Sequence, residues 1–307
     1  MSNTDRALFP DDGITKGDLI EYYRRIADAL LPHMRERPLN MQRFPRGTLD
    51  EGFWQQDMPD YFPEWMERVT VQREEGGRVT HVVCNNAATL VYLANQACIT
   101  QHIWLSRRDQ LRNPDRMVFD LDLSEEDFGS VVLAAQALKG LLEEMDVAPF
   151  VMTTGSRGLH LVVPLDGSAD FPTVKAFAQN VASVLVSRHP RDLTIEQRKG
   201  RRGGRVFVDT LRNSYGQTMV APYSVRAKPG APVATPIGWN ELSDGKMHSQ
   251  RYTLQNIFLR LGQRDDPWAQ MSQYAASLVN PGAVWRRWQA KRGGLESSRP
   301  ASSARLT

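Results

Sequence analysis

The chain has 307 residues, of which 41% are hydrophobic and 24% charged, with a formal net charge of +3. That length can bury a sizeable core, as one large domain or two closely packed lobes, and the composition is that of an ordinary folded protein. The only two cysteines, Cys84 and Cys98, lack metal-ligand spacing, and no apolar run reaches membrane-spanning length. A disulfide framework and a membrane span are excluded, and a soluble, cytoplasmic protein is expected.

A helix is predicted to open at Thr15, with Asp18 completing a capping box. Leu19, Tyr22, Tyr23, Ile26 and Leu30 follow at helical spacing. Val79 to Cys84 alternates like a strand, Ala87 to Ala97 reads as a short helix, and Thr100 to Leu105 as a strand with His102 and Trp104 on one face. Met117 to Leu123 reads as a buried strand. Ser124 with Asp127 is expected to cap an amphipathic helix through Val131, Leu138, Leu141 and Met145. Pro149 to Thr153 and Leu159 to Pro164 flank a glycine-containing turn, Phe171 to Arg188 is helical, and Arg205 to Asp209 is a short strand. Loops are expected around Pro229, Pro232 and Pro236, then helices near Tyr252 to Leu261 and from Trp268 on. Residues 1–290 form one domain of two lobes on this reading, and the Ser/Arg-rich segment 291–307 is expected to be disordered. Interleaved strands and helices give an α/β or α+β class.

The strand Met117-Val118-Phe119-Asp120-Leu121-Asp122-Leu123 carries the strongest chemical signal. Strand side chains alternate faces, so Asp120 and Asp122 project together while Phe119, Leu121 and Leu123 point into the core. Asp is depleted in strands, and two neighbouring charges repel unless something positive sits between them. A divalent cation takes oxygen ligands and is the natural neutraliser. A third carboxylate, Asp209, closes the run Val206-Phe207-Val208, and would face the same cleft if that strand neighbours the first. Three such carboxylates can hold two ions that stabilise the attacking and leaving oxygens of phosphoryl transfer. In Thr153-Thr154-Gly155-Ser156-Arg157-Gly158-Leu159-His160, two glycines let backbone approach a ligand, and hydroxyl, guanidinium and imidazole groups suit phosphates. Between Arg188 and Lys228 stand ten Lys/Arg against three acids, which suits a polyanionic partner.

These motifs, in this order and spacing, resemble the archaeo-eukaryotic primase superfamily. More closely, the chain resembles the polymerase domain of ligase D, which serves non-homologous end joining. The resemblance runs from Asn3 to about Leu261. It includes Leu8-Phe9-Pro10, Ile14-Thr15-Lys16, Arg43-Phe44-Pro45, His102-Ile103-Trp104, Asp209 through Arg212, Ala221-Pro222-Tyr223-Ser224-Val225-Arg226 and Trp239. It implies a primase-type fold, an RRM-like antiparallel catalytic sheet packed against a second α/β part that contacts DNA.

By resemblance, Asp120, Asp122 and Asp209 are the catalytic metal ligands for two Mn²⁺ or Mg²⁺ ions. Thr154, Arg157, His160 and Arg226 hold the incoming triphosphate, with Arg202 and His102 close by. Phe53 and Trp54 pack on DNA near the template, as stacking aromatics do. Asn3, Arg6 and Lys16 form a pocket for the downstream 5′-phosphate, helped by the first turn of the Thr15-capped helix. Thr154 stands where the family often has Ser and keeps the hydroxyl. Gln42 and Gln56 replace basic residues common in the family, which removes some backbone contacts. The implied activity is template-dependent primer extension at DNA breaks and gaps with NTPs or dNTPs, with Ku and a DNA ligase as partners and a nucleoid location. The chain carries no ligase or nuclease domain and reads as a stand-alone polymerase or a piece of a larger ligase. A replicative primase, a Mn-dependent glycosyltransferase with its own D-x-D, and a non-catalytic end-binding module are the alternatives.

Overall fold

The computed structural model describes residues 1–73, 76–122 and 127–297, without the side chains of 292–297. In chain order the strands are β1 (Ala7–Phe9), β2 (Ile14–Thr15), β3 (Leu39–Arg43), β4 (Phe53–Gln55), β5 (Arg68–Gln72), β6 (Arg78–Val82), β7 (Cys98–Trp104) and β8 (Arg116–Asp122). They continue as β9 (Phe150–Thr153), β10 (Leu159–Pro164), β11 (Leu193–Thr194), β12 (Val206–Asp209), β13 (Thr218–Val220) and β14 (Thr235–Ile237). The helices are α1 (Lys16–Arg25), α2 (Ala27–Met34), α3 (Ala87–Asn95), α4 (Phe128–Glu144), α5 (Phe171–Arg188), α6 (Ile257–Gln263) and α7 (Pro281–Ser297).

A six-stranded sheet ordered β11-β12-β8-β10-β9-β14 carries the acidic strand near its middle. Its inner part is a β-α-β-β-α-β unit of β8, α4, β9, β10, α5 and β12, with β8 antiparallel to both β10 and β12. This is the RRM-like order expected from the resemblance. Alternation along β8 divides two cores. Met117, Phe119 and Leu121 pack with Val131, Leu138, Val174 and Val181 of α4 and α5. Val118 faces the other way, with Met152 and Val162, into a core shared with α1, α2, α3 and β7. That second core is backed by a four-stranded sheet, β13-β7-β3-β4. The acidic strand β8 thus lies between helices on one side and a second sheet on the other.

Local signals explain several element ends. The Thr15 side chain accepts from the Asp18 N–H while Asp18 reaches back to the Thr15 N–H, the full capping box. Asp127 caps α4 through the Ser130 N–H, whereas the proposed Ser124 cap and Leu123 lie outside the described residues.

The structure corrects two expectations. Pro236 is in β14 and not in a loop, because β14 is an edge strand whose missing N–H costs no ladder bond. The segment from Trp268 runs through a short 3₁₀ turn at Met271–Tyr274 before α7 begins at Pro281. That helix extends into the expected tail as far as Ser297, and residues 298–307 lie outside the described residues. β4 and β13, three residues each, are too short to show an alternation, whereas β3 and β5 do alternate, with Leu39 and Met41 in one and Val69 and Val71 in the other.

Candidate active site

Register places the carboxylates. Asp120 pairs with His160 across β10 on one side and with Asp209 across β12 on the other. Directly opposed residues share a face and lie about 4.5–5.5 Å apart at Cβ, so three polar side chains form one row across the sheet. Asp122, two residues on, shares that face.

β12 stops at Asp209, and the chain then turns away through Thr210. The Asn213 side chain takes over the vacated ladder positions, accepting from the Val118 N–H at 2.8 Å and donating to its carbonyl at 2.7 Å. That turn swings Arg212 back over the sheet. Its Nε and Nη2 donate to Asp120 Oδ2 at 2.8 and 2.6 Å. Arg212 was not singled out from sequence as a site residue; a cation three positions beyond a strand-end Asp was the available signal.

The glycine turn behaves as expected of a close approach. A Cβ on Gly158 would stand 1.9 Å from the Leu121 carbonyl oxygen, between the two aspartates in sequence, and one on Gly155 would meet Arg226 Cγ at 2.8 Å. Gly155 also has φ of +63°, a left-handed conformation that glycine adopts freely. Thr154 Oγ1 donates to the Gly158 carbonyl at 3.0 Å, and Arg226 Nη1 donates to the Thr154 carbonyl at 2.7 Å. Arg157 Nη2 reaches Asp122 at 3.2 Å.

Together these groups enclose a cavity of about 140 Å³ between the two sheets, lined by His102, Asp120, Asp122, Thr154, Ser156, Arg157, Gly158, His160, Arg212, Val220 and Arg226. His102 and Val220 come from the second sheet, paired across β7 and β13. Burial raises the Asp120 carboxyl, but Arg212 and His160 outweigh it and hold the group well below the usual carboxylate range. Burial and the Asp120 charge push Asp209 the other way, upward. Burial and the nearby arginines keep His102 neutral, far below an ordinary imidazole, and its Nε2 finds no partner among the described residues. Burial and Arg212 bring Arg226 down to about 10, still a cation at neutral pH.

Other sequence-predicted residues fall elsewhere. Arg202 does not line the cavity: its guanidinium lies 3.8 Å over the Phe207 ring and bonds the Glu196 and Gln197 carbonyls. Phe53 and Trp54 are 45% and 53% exposed on the edge strand β4 and so stand outside the core. The Trp54 ring stands edge-on to His102, centroids 4.7 Å apart, so the strand borders the cavity. Lys16 is buried, and backbone bonds from the Lys16 N–H to the Arg6 carbonyl and from the Arg6 N–H to the Asn3 carbonyl bring these residues to the same helix end. The α1 N-terminus is not open, however. The Lys16 and Gly17 N–H groups already donate to the Arg6 and Thr4 carbonyls, each at 2.7 Å. Lys16 Nζ donates to the Asn95 carbonyl at 3.3 Å and Arg6 to the Pro45 carbonyl at 2.7 Å. Any phosphate there would meet side chains and not helix N–H groups.

The fold is that of a primase-polymerase domain. Residues 15–268 match the family described as LigD, primase-polymerase domain, and the chain belongs to that family. It is 33% identical over 290 residues to the multifunctional non-homologous end joining protein LigD of Pseudomonas aeruginosa, covering 94% of this chain and 34% of that protein. The corresponding protein of Mycolicibacterium smegmatis is 31% identical over 255 residues, covering 82% of this chain and 33% of the relative. The chain therefore spans about a third of the length of these relatives. Among solved structures, the polymerase domain of Mycobacterium tuberculosis ligase D in complex with DNA superposes with a TM-score of 0.83 at 29% identity. It covers 90% of this chain and 98% of that one.

The class is metal-dependent. The donor set fits a hard divalent cation, being all-oxygen, on one face, with Asp120 ionised. In this arrangement the charges of Asp120 and Asp122 are matched by Arg212 and Arg157, and no three carboxylate, imidazole or thiolate groups among the described residues converge on one point. Among the described residues, no helix is long and apolar enough to cross a membrane.

Proposed function

We propose that this chain is a DNA-dependent nucleotidyltransferase that extends primer 3′-ends at breaks and gaps during non-homologous end joining. The carrying observation is Asp120, flanked in register by His160 and Asp209 beneath a cleft of arginines. Nucleotide addition joins a primer 3′-oxygen to an α-phosphorus and expels pyrophosphate, so a site for it needs paired anionic metal ligands and a separate cationic cradle. Carboxylates on one sheet face beside the arginines of the cavity support this reading.

Asp120, Asp122 and Asp209 would hold two Mn²⁺ or Mg²⁺ ions, which when bound lower the charge on the reacting oxygens. Arg226 and Arg157, with the Thr154 hydroxyl and His160, would grip the triphosphate. Arg212 would hold Asp120 ionised and in place. His102, with an unmet ring nitrogen in the cavity wall, suits a sugar hydroxyl, and ribonucleotides would be accepted readily. Trp54 and Phe53 present faces on which template bases can stack. Arg6, Lys16 and Asn3 would take the downstream 5′-phosphate by side chain alone, and Arg202 would act at the cavity's margin through DNA phosphate. DNA ends, nucleoside triphosphates, Ku and a ligase are the proposed partners, and the nucleoid the proposed location.

The test is extension of a 5′-phosphorylated gapped duplex with Mn²⁺, using ATP or dATP opposite template T. Template-directed addition is expected, with ATP at least as good as dATP. No addition would remove the polymerase reading, and a dATP preference would remove the ribonucleotide part.

A further inference from the structure

A second cavity, of about 560 Å³, opens between α2, the first residues of β8, the end of β10 and the segment from Asp266 to Ala275. It lies at the opposite end of β8 from Asp122. Seven residues of extended chain put about 20 Å between the two ends, at roughly 3.3 Å per residue. This is a separate place from the nucleotide site.

Its inner wall holds two deeply buried guanidinium groups, Arg37 at 1% exposure and Arg116 at 6%. Arg37 is fully matched: Nη1 and Nη2 each donate to Asp115 at 2.6 Å. Arg107 shares the same carboxylate through Nε at 2.9 Å. Arg116 is not matched. Its Nη2 donates to the His33 carbonyl at 3.1 Å, while Nη1 is buried with no hydrogen-bond partner among the described residues. Arg116 feels the field of Asp115 but forms no ion pair with it among the described residues, since two other arginines occupy that carboxylate. The remaining acids are committed or solvated. Asp266 Oδ2 lies 2.7 Å from His33 Nε2, Asp266 Oδ1 accepts from the Trp268 N–H, and Asp28 is exposed.

A buried cationic donor without an acceptor is costly, and native interiors almost always supply one. The rest of the wall is largely apolar, with Pro32, Leu165, Trp268 and Met271 prominent. The volume is that of a small-molecule site and far exceeds what one water or one inorganic ion fills. We propose that this cavity binds a small organic oxyanion, a carboxylate or phosphate group on a compact apolar body, anchored on Arg116. Guanidinium groups pair with both headgroups through parallel N–H donors. The apolar body would take the place of water against Trp268 and Met271.

Calorimetric titration with benzoate, phenyl phosphate and inorganic phosphate tests this, on the complete chain. At least one of the two aromatic anions is expected to bind at a single site, more tightly than inorganic phosphate. Which one wins names the headgroup. Arg116→Gln should weaken that binding roughly tenfold or more. Ala275→Trp, at the exposed mouth, should block it without touching the core, and decides the matter if Arg116→Gln fails to fold. Arg226→Ala and Lys16→Ala remove phosphate-binding groups elsewhere and should leave it unchanged. Absence of saturable binding of either aromatic anion at millimolar concentration overturns the proposal, as does binding that survives Ala275→Trp.

Discussion

Arg212 holds Asp120 with two N–H groups on a single carboxylate oxygen, at 2.8 and 2.6 Å, while His160 Nε2 stands 3.5 Å from that same oxygen. The pair joins residues 92 apart in sequence and ties the turn after β12 to the middle of β8. It leaves Asp120 ionised although its carboxyl is buried, which is the state a metal ligand needs.

Asp120→Ala, Asp122→Ala and Asp209→Ala are each expected to abolish primer extension and to leave DNA binding nearly intact. DNA affinity comes mainly from Lys and Arg contacts to phosphates, and metal ligands act at the chemical step. Primer extension beside a mobility-shift titration checks this. Any one variant extending at near wild-type rate would remove the three-carboxylate assignment.

Gly158→Ala should destabilise the protein by about 1–3 kcal/mol and cost most of the activity. The added methyl meets the Leu121 carbonyl and must displace backbone between Asp120 and Asp122. Gly140→Ala is the contrast: it is exposed in α4 with open space around it, and should stabilise by about 0.5–1 kcal/mol. Urea midpoints of the two variants should move in opposite directions.

Arg226→Ala should raise KM for every nucleotide alike, since a guanidinium gripping phosphates reads charge and not base. Steady-state kinetics with four matched template–nucleotide pairs measure it. A change confined to one base would place Arg226 at the templating position instead.

Replacing both Arg6 and Lys16 by Ala should erase any preference for a downstream 5′-phosphate over a 5′-hydroxyl. Extension of a primer–template without a downstream strand should be spared. Because both cations already bond carbonyls of the chain, the preference should be worth less than the roughly 1.5–3 kcal/mol of a free charge-assisted contact. Mobility-shift titrations at fixed salt compare the two DNAs, and equal loss of affinity for both would reject the pocket.

Asp115 gives the pH test. Burial raises its carboxyl, but Arg37, Arg116 and Arg107 outweigh that and hold it well below the usual range. A depressed folded value means its contribution is fully present above the unfolded value of about 3.9 and is lost as pH falls below it. Asp115→Asn should cost roughly 2–4 kcal/mol at pH 7, less than a fully buried pair because the side chain is 24% exposed. The difference between variant and wild type should shrink as pH falls below about 4. A difference that is flat from pH 7 to pH 3 would count against it.

Sequence determined what is local in this protein. Strand alternation put Asp120 and Asp122 on one face, the capping box fixed the start of α1, and helical spacing gave α5 its observed limits of Phe171–Arg188. Two glycines three apart signalled a close backbone approach, which Gly158 makes against β8. Each of these signals lies within a few residues because each arises from one element's own geometry. Tertiary structure decided the rest. Only sheet order placed Asp209 opposite Asp120, and only the turn after β12 brought Arg212 onto Asp120. Only packing left Phe53 and Trp54 exposed, seated Pro236 in an edge strand, drew Arg202 onto Phe207 and closed the α1 N-terminus with the Arg6 and Thr4 carbonyls. These outcomes depend on which distant segments meet and in what register, and periodicity along a single chain segment does not encode that.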